Sequence, residues 1–63
     1  MSYLYIVKVY EGNEAYEYEY GNLKHATEHF KTDRAEKVEL IEYTWDSSNN
    51  RHTYRLINSR NGD

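Results

Sequence analysis

The chain contains no cysteine, no proline and only three glycines. Without cysteine there is no disulfide and no thiolate zinc site. Without proline, and with so little glycine, no stretch reads as a linker or a low-complexity tail. No apolar run approaches the roughly 18 residues of a membrane span. The N-terminus lacks the basic region and small-residue cleavage site of an export signal. A soluble, intracellular chain is therefore expected. Its 63 residues read as one domain over 1–63, near the lower size limit for folding without a staple.

Aliphatic mass is scarce as well. Leu, Ile, Val and Phe together make 11 of 63 residues, below the roughly 20% of most folded domains. The net charge of −3 is too small to force disorder by repulsion. Eight tyrosines and one tryptophan supply the missing apolar mass, each able to bury about 150–250 Å².

Residues 3–10 are almost all β-branched, aromatic or aliphatic, with only Lys8 interrupting. Both faces of this strand are apolar, which places it inside a sheet. Gly12-Asn13 then marks a tight hairpin. A two-residue loop pairs Lys8 with Glu17, Val7 with Tyr18, Val9 with Tyr16 and Tyr5 with Tyr20. Tyr16, Tyr18 and Tyr20 then share a face with Tyr5, Val7 and Val9, and a one-residue slip destroys both features. Strand two is expected over 14–20.

Asn22 is a suitable N-cap for a helix over 23–32. Its apolar stripe is Leu23, Ala26 and Phe30, and so short a helix needs a sheet to dock on. Asp33 with Glu36 suggests one further capped turn. Strands three and four are expected over 37–45 and 52–58, joined by the polar turn after Asp46. A four-residue loop sets Glu42 opposite Arg55, Tyr43 opposite Tyr54 and Ile41 opposite Leu56. Residues 59–63 are expected to fray.

The expected architecture is α+β, in the order ββαββ. It has a four-stranded antiparallel sheet of order 2-1-3-4 with one helix on one face. For the second hairpin, aromatic area favours burying Ile41, Tyr43, Trp45, Tyr54 and Leu56 under the helix. The open face would then hold Leu4, Ile6, Tyr10, Leu40 and Ile57 beside Lys8, Glu17, Glu19, Glu42 and Arg55. The opposite choice buries Val38, Leu40, Thr44 and Ile57 around the Glu42–Arg55 pair. Five apolar residues on an open face suggest a dimer or partner interface.

Chemical motifs are sparse. His25 and His29 have the i, i+4 spacing of a two-histidine metal site, a spacing that polar helix faces also reach by chance, and no metal or other cofactor is expected. Ser47 and Ser48 lie in a turn with no base beside them, no phosphate-cradling loop is present, and no enzyme is expected. Residues 1–46 hold five basic and ten acidic side chains, which opposes direct nucleic-acid binding. The acidic side chains are the informative feature. Glu17 and Glu19 alternate with tyrosines, so their carboxylates project at about 7 Å, twice the strand rise, close to the phosphate repeat of a DNA strand. Such a surface suits a basic nucleic-acid channel.

The hairpin YLYIVKVYEGNEAYEYEY, the helix LKHATEHF and the strand AEKVELIEYTW resemble, in size and pattern, the small acidic proteins of bacteriophages of Gram-positive hosts, including those of the anti-CRISPR type. The resemblance covers most of residues 3–57. It implies a non-enzymatic phage inhibitor acting in the host bacterial cytoplasm. That inhibitor would bind an RNA-guided CRISPR nuclease and block its nucleic-acid site by acidic DNA mimicry. No motif transfers residue roles. From charge and aromaticity alone, the expected partner-binding residues are Glu14, Glu17, Glu19, Glu39 and Glu42, with Tyr10 and Tyr18 as anchors. Two other readings remain open. One is a homo-oligomeric phage accessory or assembly protein, with a homodimer on the open apolar face. The other is a small regulator using Arg51, Arg55 and Arg60 on DNA.

Overall fold

The computed structural model describes residues 2–61. Five elements follow in order: β1 (Ser2–Glu11), β2 (Glu14–Tyr20), α1 (Leu23–Thr32), β3 (Lys37–Asp46) and β4 (Arg51–Asn61). They build a single sheet of order β2-β1-β3-β4, antiparallel throughout, with α1 on one face. The fold class and strand order are those expected from the sequence.

The first hairpin has the register its residues dictate, with Lys8 opposite Glu17 and Val7 opposite Tyr18. Gly12 turns the chain at φ 61°. That positive value at the first central position marks a type II′ turn, which glycine adopts without strain. The Gly12 amide donates to Glu36 Oε2 at 3.3 Å, tying the turn to the approach of β3. In the second hairpin Glu42 faces Arg55 and Tyr43 faces Tyr54. Asp46 holds its turn by accepting from the Ser48 amide, the Ser48 hydroxyl and the Asn49 amide group. These bonds, led by the Ser48 hydroxyl and Asn49, hold its carboxyl below the ordinary range.

Helix α1 starts where Asn22 Oδ1 accepts from the His25 amide at 2.9 Å. It ends at Asp33, which is extended at φ −71° and ψ 138°. The further turn expected from Asp33 and Glu36 does not form. Asp33 Oδ1 instead accepts from the Ala35 amide at 2.9 Å, a local bond that competes with helix. It turns Ala35 into the core.

That core is Val7, Val9, Ala26, Phe30, Ala35, Val38 and Leu40, with Tyr5, Tyr20 and Ile57 packed against it. Partners across an antiparallel ladder share a face. Because β1 pairs Val7 with Leu40 and Val9 with Val38, Val38 and Leu40 lie under α1. The sequence expectation for this hairpin is therefore corrected. Ile41, Tyr43, Trp45, Tyr54 and Leu56 lie on the open face. Leu40, Ile57 and the Glu42–Arg55 pair lie on the helix side. The ladder shifts at Leu40/Ile41, leaving Ile57 as the extra residue of a bulge in β4. Ile57 and Asn58 therefore both lie toward the helix side, and the parity of β4 reverses beyond the bulge, so that Arg60 reaches α1.

A second correction concerns the chain end. Residues 59–61 are strand, not frayed tail. Arg60 Nε donates to the Phe30 carbonyl at 2.9 Å, and its guanidinium lies 5.6 Å from the Phe30 ring centre. Gly62 and Asp63 lie outside the described residues. The molecule measures 42 × 25 × 15 Å. A ten-residue helix is about 15 Å long, while ten-residue strands run about 33 Å. Helix α1 thus shields about half the length of one face.

Candidate functional site

Three groups of side chains stand out. The first is a chain of bonds on the helix side. The Tyr20 hydroxyl lies 2.6 Å from His29 Nδ1, and His29 Nε2 lies 2.8 Å from Asp33 Oδ2. The Tyr18 ring meets the same imidazole edge-on at 4.8 Å. Burial pushes the Asp33 carboxyl upward, but it is outweighed. Hydrogen bonds from His29 and the Ala35 amide, with the charges of His29 and Arg60, hold it below its ordinary value of 3.8. The order hydroxyl, imidazole, carboxylate is that of an activated nucleophile. Acyl or phosphoryl transfer also needs donors aimed at a developing oxyanion beside it. Here both ring nitrogens and both Asp33 oxygens are engaged in joining α1 to β2 and to the loop before β3, and the group reads as a structural tie. His25, the other half of the i, i+4 pair, is exposed. Among the described residues no three His, Asp or Glu side chains form a group able to hold a metal.

The second group comprises the residues expected to bind a partner, and the sheet divides them. Glu17, Glu19, Glu39 and Tyr10 share the open face, because Glu17 and Glu39 flank Lys8 and Glu19 flanks Ile6. Glu14, Tyr18 and Glu42 lie on the helix side. Glu14 accepts from the Tyr16 hydroxyl, raising the Tyr16 pKa. Glu42 Oε1 accepts from Arg55 Nε at 3.2 Å. The open-face carboxylates are interleaved with cations. Lys8 Nζ is 3.9 Å from Glu17, Lys37 Nζ is 3.9 Å from Glu39, and both ammonium groups stand 5.3 Å from the Tyr10 ring centre. Tyr10 donates its hydroxyl proton to Glu39 Oε1 at 2.7 Å. The Lys8 pKa is raised, first by Tyr10 and then by Glu17 and Glu39. Five carboxylates thus do not form one acidic stripe.

The third group was expected to be core. On the open face Trp45 stacks on His52 at 5.8 Å, and His52 stacks on Tyr43 at 5.8 Å. Tyr43 in turn meets Tyr54 at 4.9 Å. The Tyr43 hydroxyl lies 2.5 Å from His52 Nδ1. Leu56, Ile41, Leu4 and Ile6 continue this face. Ile6 is buried, but Trp45 is 41% exposed, Leu56 54% and Tyr54 67%. Strand pairing sets the order: Trp45 faces His52, Tyr43 faces Tyr54 and Ile41 faces Leu56. The signal that locates this patch is the Lys8–Glu39 pairing, which fixes the parity of β3.

Comparison with protein-family models, with curated proteins and with solved structures gives no match to this chain.

Proposed function

We propose that the chain is a non-enzymatic inhibitor that docks on a protein partner through its open sheet face. The observation that carries this reading is the exposed patch of Trp45, Tyr54 and Leu56 beside half-buried Tyr43, on a sheet face with no helix over it. Aromatic residues of this kind dominate binding hot spots, and a patch this apolar on so small a molecule marks an interaction surface. The far end of the same face carries Glu17, Glu19 and Glu39 among Lys8 and Lys37, a net excess of one negative charge. That asymmetry favours a partner with an apolar pocket beside a basic groove, as in a nucleic-acid-processing enzyme. The resemblance to small phage proteins narrows the proposed partner to an RNA-guided CRISPR nuclease of the host cytoplasm, with its nucleic-acid site blocked. No helix among the described residues is long and apolar enough to cross a membrane.

In this form the aromatic patch gives residence time and the carboxylates give rate and partner choice. DNA mimicry is carried by Glu17, Glu19 and Glu39, with Tyr10 as their neighbour. Glu14, Glu42 and Tyr18 have no part in it. The test is competition. A purified RNA-guided nuclease is titrated with the protein, with and without its target DNA duplex. DNA that weakens binding supports the reading. Binding unchanged by saturating DNA removes it.

The same patch supports a second reading, a homodimer packed open face to open face. Its mark is an association insensitive to salt and abolished by Tyr54→Ala.

A further inference from the structure

The two edges of the sheet carry opposite charge. Edge strand β2 holds Glu14, Glu17 and Glu19 and no cation. Edge strand β4 holds Arg51, Arg55 and Arg60, with His52, and no anion. Among the described residues each pairs with one neighbour only, so each presents a row of unpaired amides and carbonyls. Edges of this kind pair with other strands unless something prevents it. Prolines, bulges and edge or inward charges are the usual protections. Strand β2 has no proline and no bulge, and β4 has its bulge only at Ile57, so charge is what guards both edges, and an edge of opposite sign neutralises it.

We infer that copies of this chain associate edge to edge, β2 of one copy adding antiparallel to β4 of the next. Strand direction permits it. With four strands all antiparallel, β2 and β4 run oppositely, so a second copy set beside the first continues an antiparallel sheet with every helix on one side.

Charge selects this pairing over its rivals. A β2–β2 contact brings Glu17 and Glu19 of both copies together. A β4–β4 contact brings arginines together. Only β2–β4 joins unlike edges.

A specific register follows. Tyr16, Tyr18 and Tyr20 face the helix side, as do Arg55, opposite Glu42, and Arg51, opposite Asp46. Glu17 and Glu19 face the open side, as do Tyr54 and His52. Setting Tyr16 against Arg55 then brings Glu17 to Tyr54, Tyr18 to Thr53, Glu19 to His52 and Tyr20 to Arg51. Two cation–π pairs and one carboxylate–imidazole pair result. The interface is heterologous, so it propagates into open chains of copies instead of closing as a dimer.

Sedimentation at increasing concentration tests this, in about 20 mM and about 500 mM salt, where the Debye length falls from about 20 Å to about 4 Å. The expected result is an average mass of at least twice the 7.6 kDa monomer in low salt and a return to monomer in high salt. Two double variants sharpen it: Glu17→Lys with Glu19→Lys, and Arg51→Glu with Arg55→Glu. Each alone should stay monomeric, and mixing the two should restore assembly, because each supplies the edge the other lost. Circular dichroism checks that both are folded. A monomeric wild type in low salt, or folded variants whose mixture stays monomeric, overturns the inference. So does assembly that persists in the separate variants.

Discussion

The Tyr20 hydroxyl lies 2.6 Å from Nδ1 of His29, joining edge strand β2 to the last turn of α1. A seven-residue edge strand with little buried side-chain area needs such a tie. Removing the hydroxyl with Tyr20→Phe is expected to cost about 1 kcal/mol. It should also speed amide exchange along β2 while leaving β3 unchanged. Hydrogen exchange read residue by residue checks both.

Acid should loosen the other end of the same chain. The Asp33 carboxyl is held below its ordinary 3.8 when folded. A depressed folded value gives stability that is complete above the unfolded value and drains as pH falls below it. The expected outcome is an acid unfolding limb below pH 3.8. In Asp33→Asn that limb should flatten, with stability at neutral pH lowered by about 1–2 kcal/mol. Denaturant titrations from pH 7 to pH 2 measure both.

The two faces should respond oppositely to truncation. Phe30 is 5% exposed beneath the sheet, and Phe30→Ala is expected to cost about 3–5 kcal/mol, which is most of the stability of a domain this small. Trp45→Ala and Tyr54→Ala remove exposed rings and should cost about 1 kcal/mol or less. Thermal melts separate these cases. Burial of the aromatic face under the helix would reverse the order.

Arg60 joins the chain end to the helix through the Phe30 carbonyl. Ending the chain after residue 58 should therefore lower stability by about 1–3 kcal/mol, as loss of a charged hydrogen bond and its packing. A fraying tail predicts no change. A denaturation curve of the shortened chain decides.

The first hairpin was legible because two independent signals agree there. The Gly12-Asn13 turn fixes loop length, and Lys8 meets Glu17 only in that register. The helix was legible from Asn22 and the Leu23, Ala26, Phe30 stripe. The second hairpin showed its register, with Glu42 opposite Arg55 and Tyr43 opposite Tyr54, but not its buried face, because β3 is apolar on both sides: Val38 and Leu40 against Ile41, Tyr43 and Trp45. Counting aromatic area chose the wrong side. What decides is reach, since a helix of about 15 Å covers only the Val38–Leu40 end of β3, where Val9 and Val7 lie opposite. The bulge at Ile57 hid the rest, because it places Asn58 and Arg60 on the helix side where unbroken alternation would send them to the open face. Of the expected binding residues, Glu17, Glu19, Glu39 and Tyr10 share a face. Glu14, Glu42 and Tyr18 were grouped with them by charge and composition, which carry no information on strand parity.

The central claim is that the open face holds the partner. Its most direct measurement is DNA cleavage by a panel of purified RNA-guided nucleases, titrated with wild type, with Trp45→Ala/Tyr54→Ala, and with Glu17→Lys/Glu19→Lys. The account predicts inhibition of at least one nuclease by the wild type. Potency should fall at least about 30-fold in the aromatic variant, the loss of a hot spot, and fall more steeply with added salt in wild type than in the charge variant. No inhibition of any nuclease by the wild type, or equal inhibition by all three proteins, would contradict it.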